Sequence, residues 1–173
     1  MLPMNKRARG FTLIELMVAI TVLAVLLGLA VPSFREIINS NRVTAQTNDF
    51  VSTLNYARSE ALKRSNPVTV CASTNGGTCA GVTNWSTGWI VFADINANGA
   101  LDGAEVVLQQ SPAVPVGLTL NSTTRAFVRY SSSGMSSGAE TFALLKTGCT
   151  GNRAREIAIS TTGRIASAVK ACP

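Results

Sequence analysis

The first feature of the pattern is a long run of apolar residues near the start of the chain. No charged side chain occurs in residues 16–34, and most positions are Leu, Val, Ile, Ala or Met. A helix of about 20 such residues crosses the hydrocarbon core of a bilayer. Lys6, Arg7 and Arg9 precede the run, and basic residues on one flank favour the cytoplasmic side. The pattern therefore predicts one membrane-spanning helix, with the rest of the chain outside the cytoplasm.

Beyond this run, apolar residues recur at steps of three and four, which is typical of an amphipathic helix. The predicted stripe consists of Val43, Thr47, Phe50, Leu54, Ala57 and Ala61, with Val51 and Leu62 at its margins. The pattern ends near Pro67, because proline cannot continue a helix. We expect residues 35–66 to extend the membrane helix into water and to pack their stripe against a folded domain.

From Pro67 onward, short apolar segments alternate with clusters of Gly, Asn and Ser, which predicts strands. The eight predicted strands are residues 68–72, 88–93, 105–110, 118–121, 126–131, 141–145, 154–160 and 164–169. Strands at this spacing, with little helix between them, predict packed antiparallel sheets. Trp85 and Trp89 lie at the second strand. They fit either a ligand-binding surface or the core, and the core is the commoner place for such residues.

A motif stands directly before the apolar run: Gly10-Phe11-Thr12-Leu13-Ile14-Glu15. It resembles the prepilin peptidase site of type IV pilins and type II secretion pseudopilins. The resemblance implies cleavage between Gly10 and Phe11, N-methylation of Phe11 and retention of the helix. The implied segments are a leader (1–10), a transmembrane and assembly helix (11–34), an amphipathic continuation (35–66) and a β-rich periplasmic head (67–173). The alternative is a simple signal anchor, which leaves Glu15 unexplained.

Glu15 is an ionisable residue at the start of this apolar segment. Such a group is costly in a bilayer unless it finds a partner, so it is a candidate functional residue. The resemblance implies that Glu15 pairs with the new α-amine of Phe11 in a neighbouring subunit during assembly. The alternative is a carboxylate that lies in the headgroup layer without a specific partner.

Residues 54–61 and 85–92 resemble the FimT/FimU/GspH branch of this family. The resemblance implies an α+β, pilin-like fold in which a long N-terminal helix packs on a head of two antiparallel sheets. It implies a minor pilin that supports assembly of type IV pili. The alternative is a GspH-like pseudopilin of a type II secretion system. The implied partners are other pilins or pseudopilins, prepilin peptidase and the inner membrane. An enzyme is not expected, since the chain has no His and no nucleophile paired with a base.

Four cysteines follow the apolar run. In an oxidising compartment an even number predicts two disulfides. Three pairings can be drawn, and the local one, Cys71–Cys79 with Cys149–Cys172, is our prediction. A metal site is the competing interpretation, but there is no His and no close Cys-x-x-Cys spacing.

One acidic segment fits the twelve-residue calcium-loop pattern, with oxygen-bearing side chains at positions one, three, five, nine and twelve and Gly99 at position six. The candidate Ca²⁺ ligands are Asp94, Asn96, Asn98, Asp102 and Glu105. The predicted flanking strands differ from the helices of an EF-hand, and neutral Asn ligands lower affinity. The alternative is a hairpin in which Asp and Asn bond their own backbone and Asn98-Gly99 supplies positive φ. We expect no other cofactor.

Charge is distributed unevenly along the chain. Loss of the leader removes three of the fifteen basic residues and lowers the formal net charge from +6 to +3. Residues 125–170 nevertheless hold seven basic residues against Glu140 and Glu156, a local balance of +5, while residues 94–105 carry acids alone. This asymmetry suggests an acidic partner for the C-terminal half.

Residues 159–166 resemble FimT-type proteins of transforming bacteria, some of which bind DNA through a Gly-Arg-x-Arg pattern. Gly163 and Arg164 match, but Ala166 stands at the second Arg position. The candidate residues for contacting the phosphates of double-stranded DNA during uptake are Arg164, Lys170, Arg153 and Arg155. Phosphate contacts of this kind do not read sequence. The alternative is a terminal strand whose basic side chains are solvated.

Overall fold

The computed structural model describes residues 10–103 and 105–173, so the predicted leader lies outside the described residues except for Gly10. In this described part of the chain, one helix, α1 (Leu13–Arg64), precedes eight strands. The strands are β1 (Val68–Ala72), β2 (Trp89–Ala93), β3 (Val107–Ser111), β4 (Leu118–Ser122), β5 (Phe127–Tyr130), β6 (Glu140–Lys146), β7 (Ala154–Ile159) and β8 (Ile165–Lys170). The chain divides into two compact units, Met1–Asn39 and Ser40–Pro173. The structure therefore has the predicted long helix and a head of two antiparallel sheets.

The first unit contains the apolar part of α1. Its large apolar side chains are exposed, among them Leu16, Val18, Leu23, Leu26 and Leu29. Within the described part of the chain, α1 is the one helix long and apolar enough to cross a membrane. A helix that is apolar on every side is stable in lipid or among other helices rather than in water.

The second unit begins with the rest of α1, whose apolar stripe is buried. The six predicted stripe residues, Val43, Thr47, Phe50, Leu54, Ala57 and Ala61, are each at most 3% exposed. Leu62, predicted at the margin of the stripe, is instead 50% exposed. The helix ends at Arg64, and Ser65 follows in the left-handed region with φ 52°.

The two sheets have four strands each, and every pairing is antiparallel. The first sheet has the order β3-β2-β1-β5, and the second has the order β4-β6-β7-β8. β1 and β2 are completely buried and pair in regular register, with Val70 opposite Val91. In the second sheet, alternate residues are buried, so that Phe142 and Leu144 of β6 belong to the core.

Four aromatic rings join the helix to the sheets at the centre of the core. Phe50 of α1 lies 5.7 Å from Trp85, 5.0 Å from Trp89 and 4.8 Å from Phe142, measured between ring centroids. All these contacts are edge-to-face, the arrangement that aromatic rings prefer. Both indole nitrogens donate hydrogen bonds, Trp85 to the Arg125 carbonyl and Trp89 to Thr53 Oγ1, each at 3.4 Å. The tryptophans therefore belong to the core, as predicted.

The cysteines form two local disulfides, Cys71–Cys79 and Cys149–Cys172, in the pairing that the sequence predicts. The first ties the end of β1 to the loop that follows it. The second ties the β6–β7 connection to the residues after β8. Because a cross-link restricts the unfolded chain, each bond stabilises the head.

Candidate functional site

The start of α1 carries the predicted processing motif. Gly10 and Phe11 are exposed, and Phe11 is 81% accessible. The Glu15 amide donates a hydrogen bond of 3.3 Å to Thr12 Oγ1. Thr at the cap and Glu three residues later form the sequence pattern of a capping box. Thr12 thus initiates the helix, a role that the Thr-x-x-Glu spacing could have revealed.

Glu15 lies in the first turn of α1. A carboxylate is stabilised there by the partial positive charge of the helix start. The side chain is exposed among apolar neighbours, and it has no ion-pair partner within the described residues. The geometry leaves this carboxylate available to a cation from outside the chain.

The four basic candidates of the head are not gathered at one place. Lys170 forms an ion pair with Glu156 on the outer face of the second sheet. Arg155 is on the opposite face, where Nη2 donates to Thr44 Oγ1 at 3.3 Å. Arg153 directly precedes β7. Arg164 is exposed, and its guanidinium has no ion-pair partner among the described residues.

The Gly163–Arg164 turn is shaped by packing. Gly163 has φ 76°, and a Cβ there would lie 2.1 Å from the Gly134 carbonyl oxygen, closer than atoms approach. Arg58 of α1 clamps the two facing loops: Nε donates to the Gly134 carbonyl at 2.9 Å and Nη2 to the Thr162 carbonyl at 3.1 Å. Glycine at position 163 therefore has a structural reason. Sequence reasoning missed Arg58, because no local signal identifies its distant acceptors.

Arg164 borders an open depression of about 520 Å³ on the outer face of the second sheet. The lining residues include Thr123, Thr141, Ala158, Arg164 and Ala166. Register places Ala166 opposite Ala158, on the same face as Lys170. An Arg at position 166 would therefore add a second cation beside Arg164. Ala166 places only a methyl group there.

Glu140, at the edge of this depression, is a buried carboxylate that sequence reasoning also missed. Oε1 accepts hydrogen bonds from the backbone amides of Thr123 at 2.9 Å and Thr124 at 3.2 Å, and Oε2 accepts one from Thr124 Oγ1 at 2.8 Å. Arg125 Nε lies 3.8 Å from Oε2. These bonds compensate the cost of burying a charge, so Glu140 fixes the β4–β5 connection.

The acidic β2–β3 connection is closed by hydrogen bonds within the loop and by one from Thr69 of β1. The buried Asp94 carboxylate accepts from Thr69 Oγ1 at 2.6 Å, from the Asn98 amide at 3.0 Å and from the Gly99 amide at 3.0 Å. The Asn98 side-chain amide donates to Asp102 Oδ2 at 2.6 Å. The Glu105 carboxylate accepts from two backbone amides of the same loop.

This hydrogen bonding is the one expected of the hairpin alternative, although the positive φ angles lie at Ala97 and Gly99 rather than at Asn98. Gly99 has φ 82°, and a Cβ there would lie 2.6 Å from the Phe127 ring. Within the described residues, no three His, Cys, Asp or Glu side chains are placed to share a metal ion. These contacts favour the hairpin, and calcium binding at this loop stays a hypothesis for calorimetry to test.

Comparison with known proteins gives two family matches. The model of Type II transport protein GspH matches residues 46–163, and the model of the prokaryotic N-terminal methylation motif matches residues 5–31. No curated protein matches.

Two kinds of solved structure share the fold. A crystal structure of the type IV minor pilin FimU of Pseudomonas aeruginosa is similar with a TM-score of 0.58 and 22% identity, over 77% of this chain and 90% of that one. The minor pseudopilin EpsH of the Type 2 Secretion System of Vibrio cholerae is similar with a TM-score of 0.52 and 11% identity, over 74% of this chain and 97% of that one.

Proposed function

The chain belongs to the GspH family of type II transport proteins, and on that premise we propose that it is a minor pilin of a type IV pilus. The exposed apolar surface of residues 13–31 carries the filament-subunit part of this proposal, which a pilin and a pseudopilin share. Such a helix needs lipid before assembly and neighbouring helices after it. The role is structural, with no catalytic step.

The proposed sequence of events begins in the inner membrane, with the head in the periplasm. Prepilin peptidase cleaves between Gly10 and Phe11, and the new amine of Phe11 is methylated. The Glu15 carboxylate then pairs with the α-amine of a neighbouring subunit, since an unpaired charge in an apolar environment is costly. The match of residues 5–31 to the methylation motif supports the processing step of this proposal.

Substitution of Glu15 tests the proposed assembly step. Glu15→Gln keeps the shape of the side chain and removes its charge, and we expect the amount of this protein in sheared surface filaments to fall at least about tenfold. Asp49→Asn is the matched control, because Asp49 is an exposed carboxylate on the solvated part of the same helix. Equal incorporation of the Glu15→Gln variant and the unmodified protein would refute the ion pair.

The alternative is a pseudopilin of a type II secretion system, with the same helix chemistry in another machine. The Gly163–Arg164 turn, which resembles that of FimT-type proteins, favours the pilus. Deletion in the native host separates the two: loss of surface pili and twitching with normal exoprotein secretion supports the pilus. The opposite pattern would assign the protein to the secretion system.

DNA binding is the second proposed function, and the exposed guanidinium of Arg164 is the observation that favours it. Since Lys170 and Arg155 already have partners, we expect weak, salt-sensitive binding that does not depend on sequence. A gel shift with double-stranded DNA tests this, with Arg164→Ala as the variant and Lys146→Ala as a control. Absence of salt-sensitive binding by the unmodified head would remove the proposal.

A further inference from the structure

The edges of the two sheets differ in how the protein covers them. The outer edge of β4 is bonded by residues 83–86, where the Trp85 amide donates to the Leu120 carbonyl at 2.8 Å. The outer edge of β5 is bonded by the segment after it, where the Ser137 amide donates to the Arg129 carbonyl at 2.8 Å. Covering an edge in this way prevents pairing with other chains.

β8 has no such cover within the described part of the chain. It pairs with β7 over six residues in regular register, and residues 166–170 are exposed. The other uncovered edge strand, β3, has a register shift opposite Val91 and Phe92, and an irregularity of this kind blunts an edge. β8 contains no proline; Arg164 directly precedes it, and Lys170 is its last residue.

The ladder shows which backbone groups of β8 face outward. The Ser160 amide donates to the Arg164 carbonyl at 2.9 Å. Because bonded and non-bonded pairs alternate in an antiparallel ladder, positions 166 and 168 also bond to β7. The amides and carbonyls of Ile165, Ser167 and Val169 therefore point away from the sheet. Among the described residues, they make no backbone hydrogen bond to any other segment.

We propose that the free edge of β8 binds an extended acidic segment of a partner protein, which adds to the sheet as a further strand. The outward groups of Ile165, Ser167 and Val169 supply the backbone hydrogen bonds of such β-augmentation. Arg164 supplies an unpaired cation at one end of the edge, and Lys170, which pairs with Glu156, lies at the other end. The proposal is independent of whether the filament is a pilus or a pseudopilus.

A second copy of the same edge is a poorer occupant. If two β8 strands pair around a two-fold axis at Ser167, with Ile165 opposite Val169, then Arg164 of each copy lies directly opposite Lys170 of the other. Like charges directly opposite each other destabilise a strand pair. An acidic strand replaces both repulsions by attractions.

Peptide binding to the purified full-length chain in detergent micelles tests the proposal. The probe is a fluorescent peptide of alternating Thr and Val with Glu at both ends, and its anisotropy is followed to millimolar protein concentration. A peptide with Lys at both ends tests the charge, and a Glu-ended peptide N-methylated at alternate amides tests the backbone bonds. We expect saturable binding of the unmethylated Glu-ended peptide. The Lys-ended and N-methylated peptides should bind at least about tenfold more weakly, because a tenfold loss in affinity corresponds to one hydrogen bond or ion pair.

Ser167→Pro is the decisive variant, because it removes one outward amide without removing a bond to β7; proline is tolerated at such edge positions. Ser167→Thr, which keeps the amide, is the matched control. We expect Ser167→Pro to weaken binding of the Glu-ended peptide about tenfold and Ser167→Thr to leave it unchanged.

Three outcomes would overturn the proposal. They are no saturable binding of the Glu-ended peptide, equal binding by Ser167→Pro and the unmodified chain, or equal binding of the N-methylated peptide. Self-association abolished by Ser167→Pro would instead assign the edge to a second copy. Competition with double-stranded DNA tests the last alternative. If DNA displaces the peptide from the unmodified chain but not from Arg164→Ala, and if Ser167→Pro binds the peptide normally, the surface binds phosphate groups instead.

Discussion

The two parts of α1 share one backbone conformation and differ in what surrounds them. Phe34, in the first unit, is 66% exposed, whereas Phe50, sixteen residues later in the second unit, is completely buried. Apolar residues occur on every side of the helix in residues 13–31 but form one stripe in residues 43–61. Side-chain pattern, rather than helix formation, therefore decides which environment each part requires.

The stability of the head originates in the second unit. Its main apolar cluster contains residues from Val43 onward, and both disulfides lie in the same unit. None of the buried apolar residues found in the described part of the chain belongs to the first unit. We therefore expect substitutions in the second part of α1 to change the stability of the head, and equivalent substitutions in the first part to leave it unchanged.

The largest expected effect is that of Phe50→Ala. It empties the centre of the aromatic cluster, and deletion of a buried Phe costs about 3–5 kcal/mol. Leu23→Ala, at an exposed position of the first part, is expected to change the free energy of unfolding by less than about 0.5 kcal/mol. Urea unfolding in micelles, followed by the fluorescence of the two tryptophans, measures both. Similar losses for the two variants would contradict the comparison.

Two glycines provide the next test. Gly163→Ala forces a side chain into the left-handed region and against the Gly134 carbonyl, and we expect a loss of at least about 2 kcal/mol. Nothing lies within 4 Å of a Cβ built on Gly28, so Gly28→Ala should be neutral for the head. Thermal denaturation of the two variants checks this. An unchanged melting temperature for Gly163→Ala would contradict this expectation, because it would show that the turn changes conformation to accommodate the side chain.

A smaller effect is expected from Glu60, which is 7% exposed near the end of α1. Hydrogen bonding to Arg64 Nε at 2.6 Å is the main reason why the pKa of the Glu60 carboxyl lies below its ordinary value of 4.5; Lys63 lowers this pKa further, while burial opposes the shift.

A carboxylate whose pKa is lower in the folded than in the unfolded chain stabilises the folded state. This contribution is complete at pH values above the unfolded-state pKa, and it is lost as the pH falls through the folded-state pKa. Glu60→Gln should therefore lower the melting temperature at neutral pH by the equivalent of about 1 kcal/mol or less. The difference from the unmodified chain should vanish in acid. Glu15→Gln, on the first part of the helix, should not change the melting temperature of the head at any pH.

No heat of binding at the β2–β3 loop is expected when calcium is added to the protein. The carboxylates of Asp94, Asp102 and Glu105 already accept hydrogen bonds from the loop itself. Calorimetry at millimolar calcium checks this, with Asp102→Asn as the control. The unmodified chain and the control should give the same heat. Saturable heat abolished by Asp102→Asn would establish the metal site instead.

The elements of the fold follow closely from sequence. All eight predicted strands occur within two residues of their predicted bounds, because apolar segments and turn residues are local signals. The buried stripe of α1 is likewise confirmed from Val43 to Ala61. Leu62 departs from the stripe, since the loop at Gly134 only partly covers it.

Strand order and the long-range polar contacts were not readable from sequence. The clamp from Arg58 to the Gly134 and Thr162 carbonyls joins residues that are far apart in the chain. The free edge of β8 likewise depends on which strand ends a sheet. Sequence also groups Arg153, Arg155, Arg164 and Lys170 by their proximity in the chain. The alternation of a strand, however, places Arg155 and Lys170 on opposite faces.

The most direct test of the account is the mass of the N-terminal peptide of the protein taken from its native host. The central claim is that the apolar helix is kept for assembly after its leader is removed. The account predicts a mature chain that begins at N-methylated Phe11. A chain that begins at Met1, or at a residue beyond the apolar run, would contradict it.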